Sequence, residues 1–378
     1  MAGQIIPRGN RTFLVRIYVG RDANGKRDYL NQTVRGSKKD AQIVLNKLLR
    51  DKDMGALIEP ARMSLDEYLD HWLETAVKPR VREGSYQEYA SSLRRNVRPI
   101  IGAKKLGSIK PVDVQGLYTE MQKRGLKDSV RYTHTVFKNA LKQAVKWQML
   151  SQNPADFVDL PKPSRPKVQA LTQEESQRFL EVSKSKRWHC FFSLLLSTGL
   201  RPSEALGLYW SDLDLSRETL TVRRGLRRLK GKWVFEEPKT PNARRTIPLP
   251  SSLVSLLRTH METQHELGFD GLLVFTSPTG APKHEDGIVK DYFKPLLKKA
   301  GLPHSVRLYD LRHTHATLLL LAGVHPKVVS ERLGHSNITI TLNTYSHVLP
   351  NMQQAATVKL EAMLFPTSEA EPETYLPN

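Results

Sequence analysis

The sequence predicts a multidomain α+β protein: a small N-terminal β-sheet-plus-helix module, a helical domain, and a mainly α domain carrying a small antiparallel sheet. Three observations predict it. The chain has 378 residues, too many for one ordinary core. Its apolar periodicity changes from a two-residue to a helical repeat near Ser37. A stretch with Pro161, Pro163 and Pro166 then resists both helix and sheet, as an extended linker does. Residues 1–60, 61–160 and 169–365 are therefore expected to fold as separate parts around a linker at 161–168. An acidic tail with Glu369, Glu371 and Glu373 closes the chain at 366–378.

In the first part, Phe13, Val15, Ile17 and Val19 alternate with Leu14, Arg16 and Tyr18, as on a half-buried strand. Asp22-Ala23-Asn24-Gly25 supplies a turn, and Tyr29 to Val34 a returning strand. Ser37 is placed to cap a helix with Ala41, Val44, Leu45 and Leu48 on one face, and Gly55 and Pro60 end the module. Ser64-Leu65-Asp66-Glu67 has capping-box spacing and opens a helix through Tyr68, Leu69 and Trp72. Further helices are expected from near Ser85, Val112 and Asp128, divided by Pro99 to Gly107 and by Gly125. Beyond the linker, Thr172 to Glu175 repeats the capping-box spacing. Thr219–Val222, Trp233–Phe235 and Arg245–Leu249 read as three short strands, with Pro238 to Arg245 turning between the last two.

Lys and Arg outnumber Asp and Glu by 58 to 38, a formal net charge of +20. The excess is spread over every part except the tail and points to a polyanionic partner bound in a salt-sensitive way. The single Cys190 excludes an intrachain disulfide and lies in an apolar run, as a buried structural thiol does. The N-terminus lacks the apolar stretch of a signal peptide, and the runs Phe191–Leu196 and Leu318–Ala322 are too short to span a bilayer. A soluble intracellular protein without a membrane partner is expected.

Three segments of the last part carry chemistry. In Ser197-Thr198-Gly199-Leu200-Arg201-Pro202-Ser203-Glu204, a helix gives way at Gly199 and Pro202 suits the first turn of the next. Arg201 at that junction meets free backbone N–H groups that favour an anion, and Glu204 could orient it; an ordinary surface Arg–Glu pair has the same spacing. Lys239 at a hairpin tip precedes Arg244-Arg245, suggesting a phosphate-directed loop. Arg307 to Thr317 holds Tyr309, Arg312, His313 and His315. A helix from Pro326 then stops at Gly334, delivering His335 just past its end, and Tyr345 follows ten residues later.

Thr198-Gly199-Leu200-Arg201-Pro202-Ser203-Glu204, Leu311-Arg312-His313-Thr314, Leu333-Gly334-His335 and Thr344-Tyr345-Ser346-His347, in this order, resemble the tyrosine recombinase, or phage integrase, family. The resemblance covers a catalytic domain from about Thr172 to Leu349. The helical part is similar to that family's core-site-binding domain, and the N-terminal module to the arm-binding domain of its larger members. It implies a site-specific recombinase of a mobile element that breaks and rejoins double-stranded DNA through a 3′-phosphotyrosyl bond. Its partners would be core and arm DNA sites, three further protomers in a homotetramer on paired sites, and accessory bending or directionality proteins. The setting would be the nucleoid of a bacterial cytoplasm. By position, Tyr345 would be the nucleophile, Arg201 and Arg312 the phosphate clamp, His335 the histidine beside it, and Lys239 the donor to the 5′ oxygen.

One position departs from the family. Tyr309 stands where the family commonly has histidine, and a phenol of pKa about 10 is a poor base at neutral pH. Tyr309 is therefore expected to hydrogen-bond the phosphate or His335, and His313 to be a weaker substitute as base.

The chemistry explains the residue types. Ionising a free phenol at pH 7 costs roughly 4 kcal/mol, which nearby guanidinium groups offset. The same groups stabilise charge growing on the phosphoryl oxygens, and the covalent phosphotyrosyl bond stores the ester energy. Neither ATP nor a metal is then required. Asp212, Asp214 and Asp310 are candidate ligands, as are His313, His315, His335 and His347, but they lack metal-site spacing. A DNA-binding regulator, built on a helix-turn-helix around Val324 to Leu333, would not need the Arg201, Arg312, His335 and Tyr345 set. A tyrosyl topoisomerase would share it. The apolar residues from Val348 to Leu364 suggest a terminal helix, which in this family docks on a neighbouring protomer.

Overall fold

The structure, a computed structural model, describes residues 3–21, 25–53, 63–163, 169–238, 240–345, 357–358, 360–361 and 363–365. The chain divides into two units, Met1–Arg165 and Pro166–Asn378.

In the first unit, β1 (Gly3–Gly9), β2 (Thr12–Arg21) and β3 (Arg27–Arg35) form an antiparallel sheet in that order. Val15 and Ile17, two residues apart on β2, share one face and are fully buried. That face packs on Ala41 and Leu45 of helix α1 (Lys38–Asp53), in the register the alternation predicts. Ser37 caps α1: its hydroxyl accepts from the Asp40 N–H at 3.2 Å while the Asp40 carboxylate accepts from the Ser37 N–H at 2.7 Å. Strand β1 was not foreseen. It is an edge strand in which Pro7 lies at a bulge, where a missing N–H is tolerated. The expected turn at Asp22 to Asn24, and Gly55 and Pro60, lie outside the described residues. Arg8, Arg11, Arg27, Arg35, Lys38 and Lys39 are all exposed.

A second core in this unit is helical. Helix α2 (Leu65–Trp72) starts on the Ser64–Glu67 capping box and widens into a π turn at Leu73–Val77. Helix α3 (Glu83–Ser92) runs through another π turn, Leu93–Val97, into α4 (Arg98–Ile101). Helices α5 (Pro111–Lys123) and α6 (Lys127–Lys146) complete it. The expected break between the helices near Ser85 and Val112 is present but starts at Gly102 and not at Pro99, which is helical. The π turn before it opens the hydrogen-bond ladder where the ring would otherwise meet a carbonyl. Tyr68, Leu93, Leu117, Phe137 and Leu141 fill the core, and the Tyr68 hydroxyl donates to the Ala140 carbonyl at 2.6 Å. Lys142 and Lys146 stay exposed on the opposite face of α6.

The second unit is built around α8 (His189–Thr198), buried over almost its whole length. It packs with α7 (Gln173–Ser183), which the Thr172–Glu175 capping box opens. Phe179, Phe191, Phe192, Phe275 and Phe293 interlock edge to face around it. Cys190 is buried there, and burial pushes its thiol up to about 12, so it is inert at neutral pH. Helix α9 (Pro202–Leu206) follows, and then the sheet region departs from expectation. Strands β4 (Leu213–Asp214), β5 (Thr219–Val222) and β8 (Arg245–Pro248) form one sheet. Strands β6 (Gly225–Leu229) and β7 (Lys232–Glu236) form a separate hairpin. Pro238 to Arg244 therefore links hairpin to sheet, because β8 pairs with β5 and not with β7.

Helices α10 (Ser251–Glu266), α11 (Glu285–Ile288) and α12 (Lys294–Lys299) enclose this core. Helices α13 (Asp310–Leu321), α14 (Pro326–Leu333) and α15 (Ile338–Tyr345) gather a smaller one from Ala316, Leu320, Val329, Leu333 and Tyr345. No helix among the described residues is long and apolar enough to cross a membrane. The terminal apolar helix falls mostly outside the described residues.

Candidate active site

Five helix ends meet at the site. Helix α8 stops at Gly199, whose left-handed φ of 67° ends the helix, and Arg201 is the residue from which α9 starts. Glu204, in the first turn of α9, reaches back. Its carboxylate accepts from the Arg201 N–H at 3.0 Å and from Arg201 Nη1 at 2.6 Å. Burial alone would raise the Glu204 carboxyl, but the guanidinium groups of Arg245 and Arg201 outweigh it and hold the group below the usual carboxylate range. The Arg–Glu pair is thus not a surface pair: Glu204 is 8 % exposed.

Arg312, on the first turn of α13, is 1 % exposed. Its Nη1 donates to the Gly199 carbonyl and its Nη2 to the Leu333 carbonyl, both at 2.7 Å. These are the C-terminal carbonyls of α8 and α14, which have no partner in their own helices and carry the negative ends of the helix dipoles. Burial, and then Arg201, push the Arg312 pKa down, and the carbonyl pair is what tolerates the charge. Two of its five N–H donors are used in these bonds.

Helix α14 ends on Gly334, again left-handed at φ 67°, and the His335 N–H closes the turn on the Ser330 carbonyl at 3.0 Å. The His335 ring hydrogen-bonds Thr341 of α15 through Nδ1 at 2.8 Å. Burial and the nearby Arg312, Arg201 and Arg245 push His335 down to about 4, so it is neutral at pH 7. Tyr345 at the end of α15 is 1 % exposed, and its hydroxyl lies 2.7 Å from Nδ1 of His313. Burial raises the Tyr345 pKa while Arg312 opposes the rise.

Arg201, Arg312, His335 and Tyr345 are therefore brought together from four elements. Of the two partners expected for Tyr309, the phosphate and His335, the His335 ring is held by Thr341. Tyr309 lies beside Arg201 and sets its ring edge-on to His313 at 5.3 Å. Lys239 and His347 lie outside the described residues. His315 is structural: Nδ1 donates to the Leu196 carbonyl at 2.7 Å and Nε2 accepts from Arg332. The carboxylates are dispersed, with Asp212 on Arg224, Asp214 capping a turn and Asp310 on Arg307 at 2.8 Å. Among the described residues no three His, Cys, Asp or Glu side chains come together as a metal site would require.

The role of Arg245 was missed. It is 7 % exposed at its side chain and donates to Glu204 at 3.0 Å, to the Ala243 carbonyl and to the Arg332 carbonyl. Strand alternation could have found it, since Arg245 shares a face with buried Ile247. Beside it opens a cleft of about 470 Å³ lined by Arg245, Lys327, His335, Ser336 and Asn337.

Residues 169–352 match the profile described as "Phage integrase family", and residues 64–122 match "Phage integrase, N-terminal SAM-like domain". A protein named "Tyrosine recombinase XerC-like" from Caldanaerobacter subterraneus is 29% identical over 381 residues, covering 93% of this chain and 96% of its own. The ICEBs1 integrase of Bacillus subtilis is 27% identical over 286 residues, covering 74% and 78%. The Tn1549 transposon integrase, solved in complex with transposon right end DNA, superposes with a TM-score of 0.69 at 25% identity, over 79% of this chain and 100% of that one. Fold and relatives together define a tyrosine site-specific recombinase. The chain belongs to the phage integrase family.

Proposed function

We propose that the protein integrates or excises a mobile element by cutting and rejoining double-stranded DNA through a covalent bond to Tyr345. The observation that carries this reading is the convergence of Arg201, Arg312 and His335 on the small core that holds the Tyr345 ring. Arg201 and the free N–H groups of Arg312 bind the nonbridging oxygens of the scissile phosphate, where charge grows as Tyr345 attacks. Neutral His335, oriented by Thr341, adds a hydrogen bond to the same phosphate. The 3′ phosphate is transferred to Tyr345, the 5′ oxygen leaves with a proton from Lys239, and a new 5′-hydroxyl reverses the step. The bond energy is conserved in the phosphotyrosyl ester, so neither ATP nor a metal takes part. Tyr309 steadies Arg201.

Residues 169–365 form the catalytic domain in this reading. Residues 61–160 hold the core site, and the exposed basic face of residues 1–60 suits arm-site phosphates. Four protomers on two sites, with accessory DNA-bending or directionality proteins, would carry out full exchange in the bacterial cytoplasm.

The test uses nicked duplexes of random sequence, which trap the cleaved strand on the enzyme. Wild type should collect a subset of sequences in an adduct that survives denaturation and is indifferent to EDTA. Tyr345→Phe should collect none. An adduct in the Phe variant, or one abolished by EDTA, overturns the reading.

A further inference from the structure

We infer that His313 is the group that takes the proton from Tyr345 during attack on DNA and returns it during rejoining. This rests on the tyrosyl reading above and supplies the acceptor that Tyr309 cannot be.

The geometry is direct. His313 follows Arg312 on α13, one turn from Tyr309, and its Nδ1 lies 2.7 Å from the Tyr345 hydroxyl across 32 residues of sequence. The two rings are tilted with centroids 5.7 Å apart, so the contact is made through the heteroatoms and not by stacking. His313 is half-buried, and burial pushes its pKa below the ordinary imidazole value. A neutral ring with Nδ1 unprotonated accepts the Tyr345 O–H, which is the arrangement a general base needs before reaction. The charged and titratable groups around it are Asp310, Arg307, Arg312 and Tyr309 from its own segment, His335 from the end of α14 and Tyr345 from α15. Of these, the Asp310 carboxylate favours the imidazolium that forms, and the arginines oppose it.

The step balances. Tyr345 Oη bonds to phosphorus as its proton passes to His313 Nδ1, and the bond from phosphorus to the 5′ oxygen breaks with its electron pair on that oxygen, which takes a proton from Lys239. In rejoining, an incoming 5′-hydroxyl attacks phosphorus as its proton passes to Lys239, the electron pair returns to Tyr345, and the imidazolium gives the proton back.

A second meaning of the contact, a lock that stores Tyr345 out of reach, makes the opposite prediction. His313→Asn separates them, since the amide oxygen can accept the same hydrogen bond but cannot accept the proton. The probe is a duplex selected by wild type and synthesised with sulfur in place of the leaving 5′ oxygen, which departs without a proton donor. Adduct formation by wild type should rise with pH and level off above the His313 pKa. The Asn variant should lose the plateau, climb steadily with pH, and run roughly 10²- to 10⁴-fold slower at neutral pH. An unchanged rate and profile would reduce His313 to a positioning group, and a faster variant would make it a lock. Either overturns the inference.

A fluorinated, more acidic tyrosine at 345 in the otherwise wild-type chain needs no His313 variant. The midpoint of the profile should stay with the imidazole. A midpoint that moves down with the phenol would identify Tyr345 as the titrating group and reject the base. Absence of any Tyr345 adduct in wild type would instead defeat the tyrosyl reading itself.

Discussion

Glu204→Gln should destabilise the second unit far more than a conservative exchange on a surface helix. The wild-type carboxylate is 8 % exposed and accepts from the Arg201 N–H, from Arg201 Nη1 and from Nη1 and Nη2 of Arg245, at 2.6 to 3.4 Å. The Arg245 side chain is itself 7 % exposed. The amide keeps one acceptor oxygen, but its NH₂ faces a guanidinium donor and the buried positive charge loses its counter-ion. Breaking one partner of a buried pair costs about 3–5 kcal/mol. For a unit of roughly 200 residues that lowers the melting temperature by about 6–20 °C. Urea denaturation of the full chain, followed by fluorescence, measures it.

The pH dependence supplies an independent check with a fixed sign. Because the Glu204 carboxyl is held below its unfolded value, its contribution is present above the unfolded carboxyl pKa of about 4.3 and is lost as pH falls through the folded value. The stability gap between wild type and variant should therefore close on acidification. A loss under about 1 kcal/mol at pH 7, or a gap that widens in acid, would refute the argument that this carboxylate holds the arginines.

Two further substitutions probe the frame of the site. Gly199→Ala puts a Cβ at φ 67° and within 2.5 Å of the His315 ring and 2.8 Å of Leu333, so a loss of roughly 2–4 kcal/mol is expected in the same urea assay; a neutral result would contradict the packing. Arg312→Lys replaces a fork that spans two carbonyls by a point donor, and adduct formation on a nicked duplex should fall at least about 10²-fold. Full activity would show that the fork geometry is dispensable.

The parts legible in the sequence are those fixed by neighbours along the chain. The Ser64–Glu67 and Thr172–Glu175 capping boxes, the alternation through Val15 and Ile17, and the glycines at 199 and 334 all rest on contacts within a few residues. What escaped depends on distant partners. Strand β6 was not among the three expected, because Arg227 and Arg228 interrupt its apolar residues and pairing with β7 defines it. Pro99 looked like a helix stop because a π turn leaves no local signature. The role of Arg245 went unread because its acceptor Glu204 is 41 residues away. The order of Arg201, Arg312, His335 and Tyr345 was readable, but the pairing of Tyr345 with His313 was not: helix α15 had to fold back onto α13 first.

The two carbonyls that hold Arg312 fix more than its position. A long arginine free in solvent samples many rotamers, and ordering it on a ligand costs about 2 kcal/mol of conformational entropy. Here that ordering is completed when α8 and α14 converge, before any DNA is present. The guanidinium plane is then set by two helix ends, so in the proposed reaction the scissile phosphate would meet a receptor with no search left to make. In that reaction folding and recognition would share one side chain, so a mutation that loosens either helix terminus would be felt at the phosphate even though it touches neither the DNA nor the tyrosine.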